Sequence, residues 1–287
     1  MKIKLNNFWV DGHVYLSTSA RTHLNELGVN IVDRNFCDVQ YVDYSVDGLI
    51  ATWNTKITES LIAKFPSVKV VFLRCTSDDN VDLIALKKRN IKLFKIHSYG
   101  DNATSEYVIS KILFHSQGMN PRKEISGKKL GIVGFGNVGR LVYNKAVALG
   151  MNVIVHSRAP IIEYNDETIF SRDLDRVFSE CDYVSIHTPS YTKCLPVELL
   201  NNLKEKSLLI MTTLGIPFHT DDFISFCNQQ SSVDIVGDLC CFSELSDIKE
   251  IRNLYVDDFY SARTAESILR AEDEVINNIM EYMKHDI

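Results

Sequence analysis

A glycine-rich loop in the middle of the chain is the short motif with the clearest chemical meaning. Gly134, Gly136 and Gly139 have the spacing G-x-G-x-x-G, directly after an apolar run and at the start of a helical pattern. In that position the spacing is typical of a loop that holds the pyrophosphate of a dinucleotide. The first glycine permits a tight turn, the second a close approach of backbone to pyrophosphate, and the third close packing of helix on strand. We predict that N–H groups at the helix start, including those of Asn137 and Val138, bind this anion; the alternative is a glycine-rich turn without a ligand.

The end of the next apolar run predicts which dinucleotide binds. The position where an acidic residue would hold the ribose 2′-hydroxyl is occupied by Ser157, and Arg158 follows it. A hydroxyl donor beside a guanidinium suits a 2′-phosphate, because arginine forms charge-assisted pairs with phosphate oxygens. We therefore predict that NADP(H) is preferred over NAD(H). The alternative is that Arg158 is an ordinary solvated loop residue.

The elements that must position this loop follow one pattern along the whole chain. Apolar runs of strand length alternate with helical patterns, which is typical of parallel βαβ units. The strand-like runs lie at residues 2–5, 29–32, 48–52, 68–75, 91–96, 130–133, 152–156, 183–187, 208–212, 233–237 and 254–256. The helical patterns include residues 104–117, 138–149, 197–203 and a long final helix at about 264–284. The predicted fold class is α/β, with two doubly wound lobes, Rossmann-like and flavodoxin-like, each built on a parallel sheet with a cleft between them.

Composition excludes several classes of protein. The 287 residues suffice for one large domain or two of ordinary size. A formal net charge of -6 argues against a general nucleic-acid binder, which needs a clustered basic surface. No apolar run approaches the roughly 20 residues of a membrane span, and the start MKIKLNNFWV lacks the features of a signal peptide. We expect no nucleic-acid partner and no membrane association.

The cysteines indicate a reducing compartment and no metal site. There are seven of them, scattered without a CxxC pair or zinc spacing. An odd count without a signal peptide suggests free thiols in the cytoplasm. The vicinal pair Cys240-Cys241 is interpreted as two small core residues, with redox chemistry as the alternative.

With the glycine loop placed between two α/β lobes, the chain resembles the D-isomer-specific 2-hydroxyacid dehydrogenases over nearly its whole length. Asp238 matches the acidic residue of that family's L-D-V motif. The other matching segments are residues 79–82 (DNVD), the hinge 99–107 (YGDNATSEY, where Thr104 and Ser105 depart), 149–151 (LGM) and 181–189 (CDYVSIHTP). This resemblance implies a substrate-type, flavodoxin-like domain at 1–98 plus 265–287 and a dinucleotide-binding Rossmann domain at 99–264. It also implies a small-molecule substrate, a homodimer, and further cofactor contacts from Thr188, Pro189, Thr213 and Asp238.

Two positions that carry chemistry in the family depart from its pattern. An Arg there binds the substrate carboxylate, a His moves the proton, and a Glu orients the His. The Arg position holds Leu214 and the His position holds Phe259, while Glu244 lies near the place of the Glu after a one-residue shift. Loss of the His removes general acid catalysis worth about 10²–10⁴-fold.

Other residues near these positions are candidates for replacement groups. Cys75 and Ser77 stand where the family has glycines that approach the carboxylate, and His219 follows the vacant Arg position. The candidate catalytic residues are Glu244, Asp258 and Tyr260. The candidate substrate contacts are Arg74, Ser77, Tyr99, Leu214 and Phe259. For each polar candidate the plainer alternative is a packing or surface role, and His187 is interpreted as a structural neighbour of the cofactor.

Two functional hypotheses follow from these residues. The first is an NADP(H)-dependent oxidoreductase with a non-standard active site, acting on a carbonyl, hydroxyl or imine group of something other than a simple 2-oxo acid. The second is a non-catalytic NAD(P)-binding protein that acts as a sensor or interaction module. Turnover of a carbonyl substrate that depends on these residues distinguishes the two.

Overall fold

The computed structural model describes residues 6–158, 169–171, 173–189, 192–230, 232–245 and 251–285. The chain divides into two compact units, one formed by Met1–Tyr99 with Ala265–Ile287 and the other by Gly100–Thr264. Each unit has its own parallel sheet and its own hydrophobic clusters.

The first unit contains a five-stranded parallel sheet with the order β2-β1-β3-β4-β5. Its strands are β1 (Asn6–Asp11), β2 (Val29–Arg34), β3 (Gly48–Ala51), β4 (Val70–Leu73) and β5 (Lys92–Lys95). Strands β3 and β4 are buried along their whole length, as expected for inner strands covered on both faces. The first strand was predicted in the starting stretch MKIKLNNFWV, with its apolar run at 2–5; that run lies outside the described residues, and the described strand β1 covers the later part of the stretch.

Three short helices connect these strands, and each begins at a residue that caps its free N–H groups. They are α1 (Thr18–Glu26), α2 (Glu59–Ile62) and α3 (Leu83–Lys88). The side chains of Ser17, Thr58 and Asp82 accept hydrogen bonds from the backbone three residues further on. Local sequence therefore fixes where each helix starts.

The second unit contains a seven-stranded parallel sheet with the order β12-β11-β10-β9-β6-β7-β8. Its strands are β6 (Lys129–Val133), β7 (Asn152–His156), β8 (Ile169–Phe170), β9 (Tyr183–Ile186), β10 (Leu208–Met211), β11 (Asp234–Gly237) and β12 (Leu254–Val256). The chain runs outward from β6 to β8 and then returns to β9 on the other side of β6. This reversal creates the crevice at which doubly wound sheets bind ligands. The predicted fold class of two parallel-sheet α/β lobes is confirmed.

The helices of the second unit are α4 (Asp101–Gly118), α5 (Asn137–Ala148), α6 (Leu174–Glu180) and α7 (Thr220–Gln229). The helical pattern predicted at 197–203 is instead a 3-10 helix, Val197–Asn202, with Pro196 at its N-cap. A short apolar run does not distinguish the two kinds of helix, because both bury one side in so few residues. The two-residue strand β8 at the sheet edge was not predicted.

The final helix, α8 (Ala265–His285), belongs to the first unit. Its buried residues Ala271, Val275 and Ile279 pack in one cluster with Phe8 and Phe72 of that unit's sheet. No helix in the described residues is both long and apolar enough to cross a membrane.

Candidate functional site

The glycine loop forms the turn between β6 and α5, and its surroundings explain two of the glycines. Gly134 has φ +97°, and a Cβ there would lie 2.2 Å from the carbonyl oxygen of His187. A Cβ on Gly139 would lie 2.2 Å from the carbonyl oxygen of Gly134. No larger side chain fits at either position, so the strand, turn and helix are held in close contact.

Gly136 has different surroundings, because a Cβ on it would meet nothing within 4 Å. It is the N-cap of the 12-residue helix α5, and no side chain caps the free N–H groups there. The hydroxyl of Thr188, next to this loop, is buried and has no hydrogen-bond partner among the described residues. Open space, free N–H groups and an unused buried hydroxyl are the features that a bound pyrophosphate would satisfy. The residues present therefore fit a dinucleotide.

Ser157 and Arg158 directly follow β7, the strand next to β6 in the sheet. Ser157 is partly buried, whereas Arg158 is exposed and has no partner in the described part of the chain. The ring of His156 is anchored by Nδ1, which lies 3.0 Å from the carbonyl oxygen of Ser171. Residues 159–168, which follow, lie outside the described residues.

The ring of His187 lies between two hydroxyls at the carboxyl ends of β9 and β10. Its Nε2 is 2.9 Å from Ser185 Oγ, and its Nδ1 is 3.4 Å from Thr212 Oγ1. Burial lowers the pKa of His187 to about 4, so the ring is neutral at neutral pH. The hydroxyl of Thr213 also has a partner nearby in the sequence, because it donates to the carbonyl oxygen of Gly215 at 2.8 Å.

Asp238 is buried and joins two loops at the carboxyl edge of the sheet. Its Oδ1 accepts from the backbone N–H of Cys241 at 3.2 Å, and its Oδ2 accepts from that of Ser261 at 2.8 Å. The carboxylate therefore fixes the loop that carries Phe259 against the loop that follows β11.

Leu214, Leu239 and Phe259 come from three loops that lie side by side at this edge. The backbone N–H of Gly215 donates to Cys240 O at 3.3 Å, and that of Leu239 donates to Phe259 O at 3.2 Å. Phe259 is 49% exposed and Leu239 is 36% exposed, while Leu214 is partly buried. Leu214 and Phe259 thus place apolar side chains at the two positions where the sequence predicted the family's charged groups to be missing, and Leu239 lies beside them.

The candidate catalytic residues have separate surroundings. Glu244 Oε2 accepts from Lys193 Nζ at 2.7 Å and from the Thr220 hydroxyl at 3.3 Å, which makes it the partner of a lysine. Asp258 is exposed and Tyr260 is partly buried, one on each side of Phe259 in the loop after β12.

The three candidate substrate contacts in the first unit are all engaged within that unit. Arg74 Nη2 donates to the carbonyl oxygen of Ile268 on α8 at 3.1 Å. The Ser77 hydroxyl donates to Asp79 Oδ2 at 2.6 Å. The carbonyl oxygen of Tyr99 accepts from Arg270 Nε at 3.0 Å.

A cluster formed by Tyr107, Lys111 and Asp257 was not predicted from the sequence. Lys111 Nζ lies 2.6 Å from Asp257 Oδ2 and 5.0 Å from the centroid of the Tyr107 ring. That ring packs edge-on against Phe259, with 6.0 Å between the centroids. The spacing of Tyr107 and Lys111, one helical turn apart, was the available signal, but nothing in the sequence joined it to Asp257.

The vicinal cysteines lie beside this edge as packed thiols. Burial raises the pKa of both Cys240 and Cys241 to about 12, which leaves the unreactive protonated form at neutral pH. Cys241 Sγ lies 3.6 Å from the Thr213 hydroxyl. These surroundings fit the core interpretation of the pair.

Comparison with known proteins agrees with this arrangement. Residues 94–253 match the family described as "D-isomer specific 2-hydroxyacid dehydrogenase, NAD binding domain". An erythronate-4-phosphate dehydrogenase of Wigglesworthia glossinidia brevipalpis is 25% identical over 238 residues, which are 80% of this chain and 60% of that protein. A hydroxypyruvate reductase of Thermotoga maritima is 26% identical over 189 residues, which are 59% of this chain and 61% of that protein. The chain thus spans about 60% of the length of these two relatives.

Solved structures share the fold. A Thermus thermophilus protein superposes with a TM-score of 0.82 at 20% identity, covering 97% of each chain. An acyclic imino acid reductase in complex with NADPH and D-Arg superposes with a TM-score of 0.79 at 23% identity, covering 98% of this chain and 97% of that one. The family match covers more than half of the sequence, and the chain therefore belongs to the D-isomer specific 2-hydroxyacid dehydrogenase family.

Proposed function

We propose that this protein is an NADP(H)-dependent oxidoreductase that acts on a carbonyl or imine group of a molecule other than a simple 2-oxo acid. The observation that carries the proposal is the open, uncapped start of α5 at Gly136, next to the unused Thr188 hydroxyl. When bound there, the nicotinamide dinucleotide supplies or accepts a hydride. The two relatives described above are a dehydrogenase and a reductase, and this supports the proposal that the protein is an enzyme.

The preference for NADP(H) rests on Arg158. Its exposed guanidinium has no partner in the described part of the chain and stands at the end of β7, where the ribose of the nucleotide is expected. This guanidinium can form bidentate hydrogen bonds with a 2′-phosphate, and the Ser157 hydroxyl can donate to the same group.

The substrate proposal rests on the apolar edge formed by Leu214, Leu239 and Phe259. Neither leucine nor phenylalanine can hold a carboxylate, since neither offers a donor or a charge. We propose that Leu214 and Phe259 contact an uncharged part of the substrate. Asp258 and Tyr260, on either side of Phe259 in the same loop, are the proposed polar catalytic groups. Glu244 remains a catalytic candidate. Because its carboxylate already forms an ion pair with Lys193, we propose that it acts through its negative charge.

The two units have different proposed roles. The unit Gly100–Thr264 holds the glycine loop and is proposed to bind the dinucleotide through Gly134, Gly136, Asn137, Val138, Gly139, Thr188, Pro189, Thr213 and Asp238. The unit formed by Met1–Tyr99 and Ala265–Ile287 is proposed to contact the substrate through Arg74, Ser77 and Tyr99.

We also propose a homodimer that forms through the dinucleotide-binding unit. Phe114 on α4 is 80% exposed, and it lines a cavity of about 830 Å³ together with Tyr255 and Met119. An exposed aromatic side chain beside a groove of this size is a feature of surfaces that another chain covers.

The experiment for the proposed function is a fluorescence titration with NADPH and, separately, NADH. We expect tighter binding of NADPH, and we expect Arg158→Ala to weaken NADPH binding by about ten-fold, or ~1.4 kcal/mol, with NADH binding unchanged. An equal loss for both nucleotides would contradict the role of Arg158. Oxidation of NADPH is then followed with four probes: benzaldehyde, acetone, a cyclic imine, and hydroxypyruvate, which is a 2-oxo acid and is expected to be the poorest substrate.

A non-catalytic NAD(P)-binding protein is the second candidate. The apolar residues Leu214 and Phe259 favour it, because they remove the groups that the family uses for substrate binding and proton transfer. If NADPH binds tightly but none of the four probes causes its oxidation, the non-catalytic candidate is supported and the enzyme proposal is not.

A further inference from the structure

Tyr107 is a buried titratable residue directly behind the position where the family's histidine is predicted. It lies on α4, its side chain is 7% exposed, and its ring contacts the ring of Phe259 edge-on. The carboxylates whose charges act on its hydroxyl are those of Asp257, just after β12, and Asp238, just after β11. Tyr107 therefore lies among the loops that form the carboxyl edge of the sheet.

Lys111 and Asp257 connect this tyrosine to water. Their ion pair is mostly buried, with side chains 21% and 24% exposed, and the ammonium also lies over the Tyr107 ring. Both residues line the cavity of about 830 Å³ between α4 and the edge of the sheet. One side of the cluster thus meets this cavity, whose size and polar lining let it hold water even where a second copy covers Phe114 and Tyr255, and the other side meets Phe259.

From this geometry we propose that Tyr107 is the proton donor of the reaction and that the Lys111–Asp257 pair returns the proton from the cavity. The proposal rests on the proposed oxidoreductase function and names the group that replaces the missing histidine. It requires the half-exposed Phe259 ring to turn aside, since that ring covers Tyr107.

The proton and electron balance of the step is complete. Reduction adds a hydride, supplied by the reduced nicotinamide, to the carbonyl carbon. The C=O π bond breaks and its electron pair moves to the oxygen, which bonds to the Tyr107 proton as the Tyr107 O–H bond breaks. The phenolate regains a proton from the Lys111 ammonium by way of Asp257, and water in the cavity reprotonates Lys111.

The electrostatic surroundings keep Tyr107 in its protonated form. Burial, with the Asp257 and Asp238 carboxylates adding to it, raises the pKa of Tyr107 above its ordinary range. The hydroxyl is therefore protonated at neutral pH and gives its proton only to a stronger base, such as the alkoxide that hydride transfer creates. The Lys111 ammonium next to the ring stabilises the phenolate that remains.

The test compares wild type with Tyr107→Phe, Lys111→Met and the control Tyr183→Phe, which removes a buried hydroxyl elsewhere in the same unit. NADPH affinity, unfolding by urea, and turnover of the best of the four probes are measured for each. We expect Tyr107→Phe to lower kcat by about 10²–10⁴-fold while NADPH affinity stays within about two-fold of wild type. Lys111→Met should lower kcat and increase its solvent deuterium isotope effect, and Tyr183→Phe should change neither.

A readout without turnover accompanies this comparison. Ultraviolet titration of the nucleotide-free protein should show one more tyrosine that resists ionisation in wild type than in Tyr107→Phe, because burial also raises the pKa of Tyr183. Turnover that Tyr107→Phe leaves unchanged would overturn the inference alone. NADPH binding without turnover of any probe would overturn both the inference and the enzyme proposal. A parallel loss of kcat and NADPH affinity would show a structural role and would also overturn it.

Discussion

The glycines of the phosphate loop show how one residue type does different work at neighbouring positions. Gly134 is required by its positive φ and by the backbone of His187 above it, whereas Gly136 is surrounded by open space. The first glycine therefore serves folding, and the second serves the approach of a ligand. The motif alone cannot separate these roles, because the contact with His187 depends on β9 lying beside β6.

Alanine substitutions separate the two roles. We expect Gly134→Ala to lower the free energy of unfolding by about 1–3 kcal/mol, because the backbone conformation is strained for alanine and the methyl group would clash. Gly136→Ala should leave stability within about 0.5 kcal/mol of wild type and still weaken NADPH binding, because its methyl group would occupy the pyrophosphate site. Urea unfolding and nucleotide titration measure the two effects. A Gly136→Ala variant with full nucleotide affinity would argue against a pyrophosphate at this turn.

A second residue-scale result concerns His187. Its pKa is lowered to about 4 from an ordinary value of 6.5 because burial disfavours the charged ring. The unfolded chain therefore binds this proton more readily than the folded protein. The contribution of His187 to stability is complete above pH 6.5 and is lost as the pH falls toward 4.

Substitution of His187 tests this linkage. The urea midpoint of wild type should fall between pH 7 and pH 5, and His187→Gln, which cannot titrate, should show a smaller fall over the same range. The control His23→Gln changes an exposed histidine on α1 and should keep the wild-type pH dependence. Identical pH profiles for wild type and His187→Gln would contradict the linkage.

At the scale of elements, the last helix completes a unit that begins at the other end of the chain. Glu272 of α8 is buried, and its carboxylate accepts hydrogen bonds from the Ser17 backbone N–H and from the Ser17 hydroxyl, the latter at 2.7 Å. Ser17 is also the N-cap of α1, so one acidic side chain joins the start of α1 to α8. The amphipathic pattern predicts α8 itself, but it does not indicate the partner of Glu272.

Removal of this carboxylate measures the link between the two helices. We expect Glu272→Ala to destabilise the protein by about 1–3 kcal/mol, since it leaves the partly buried N–H and hydroxyl of Ser17 without this acceptor. Asp273→Ala, one residue along on the exposed side of α8, should change stability by less than about 0.5 kcal/mol. Urea unfolding of both variants makes the comparison, and equal effects would show that the Ser17 contact contributes nothing specific.

At the scale of the whole molecule, the proposed homodimer follows from what the dinucleotide-binding unit leaves exposed. Phe114 and Tyr255 lie beside the cavity along α4, and both are more than half exposed. A second copy that covered them would remove apolar surface from water, which is the main driving force for association.

Light scattering measures the assembly directly. We expect the mass of a dimer for wild type and the mass of a single chain for Phe114→Asp, because a carboxylate in an apolar interface loses its hydration. Ile84→Asp changes another strongly exposed apolar side chain, on α3 of the other unit, and should leave the dimer intact. A wild-type mass of one chain at every concentration would end the dimer proposal.

The sequence by itself determined the α/β class, the alternation of strands and helices, and the phosphate loop. These features follow from local periodicity and from glycines at fixed spacing, which neighbouring residues encode. Only the tertiary structure decided that Tyr107 lies between Phe259 and the Lys111–Asp257 pair, and that Glu244 is the partner of Lys193. Those contacts join residues far apart in the chain, and the order of parallel strands, which no local pattern specifies, brings them together.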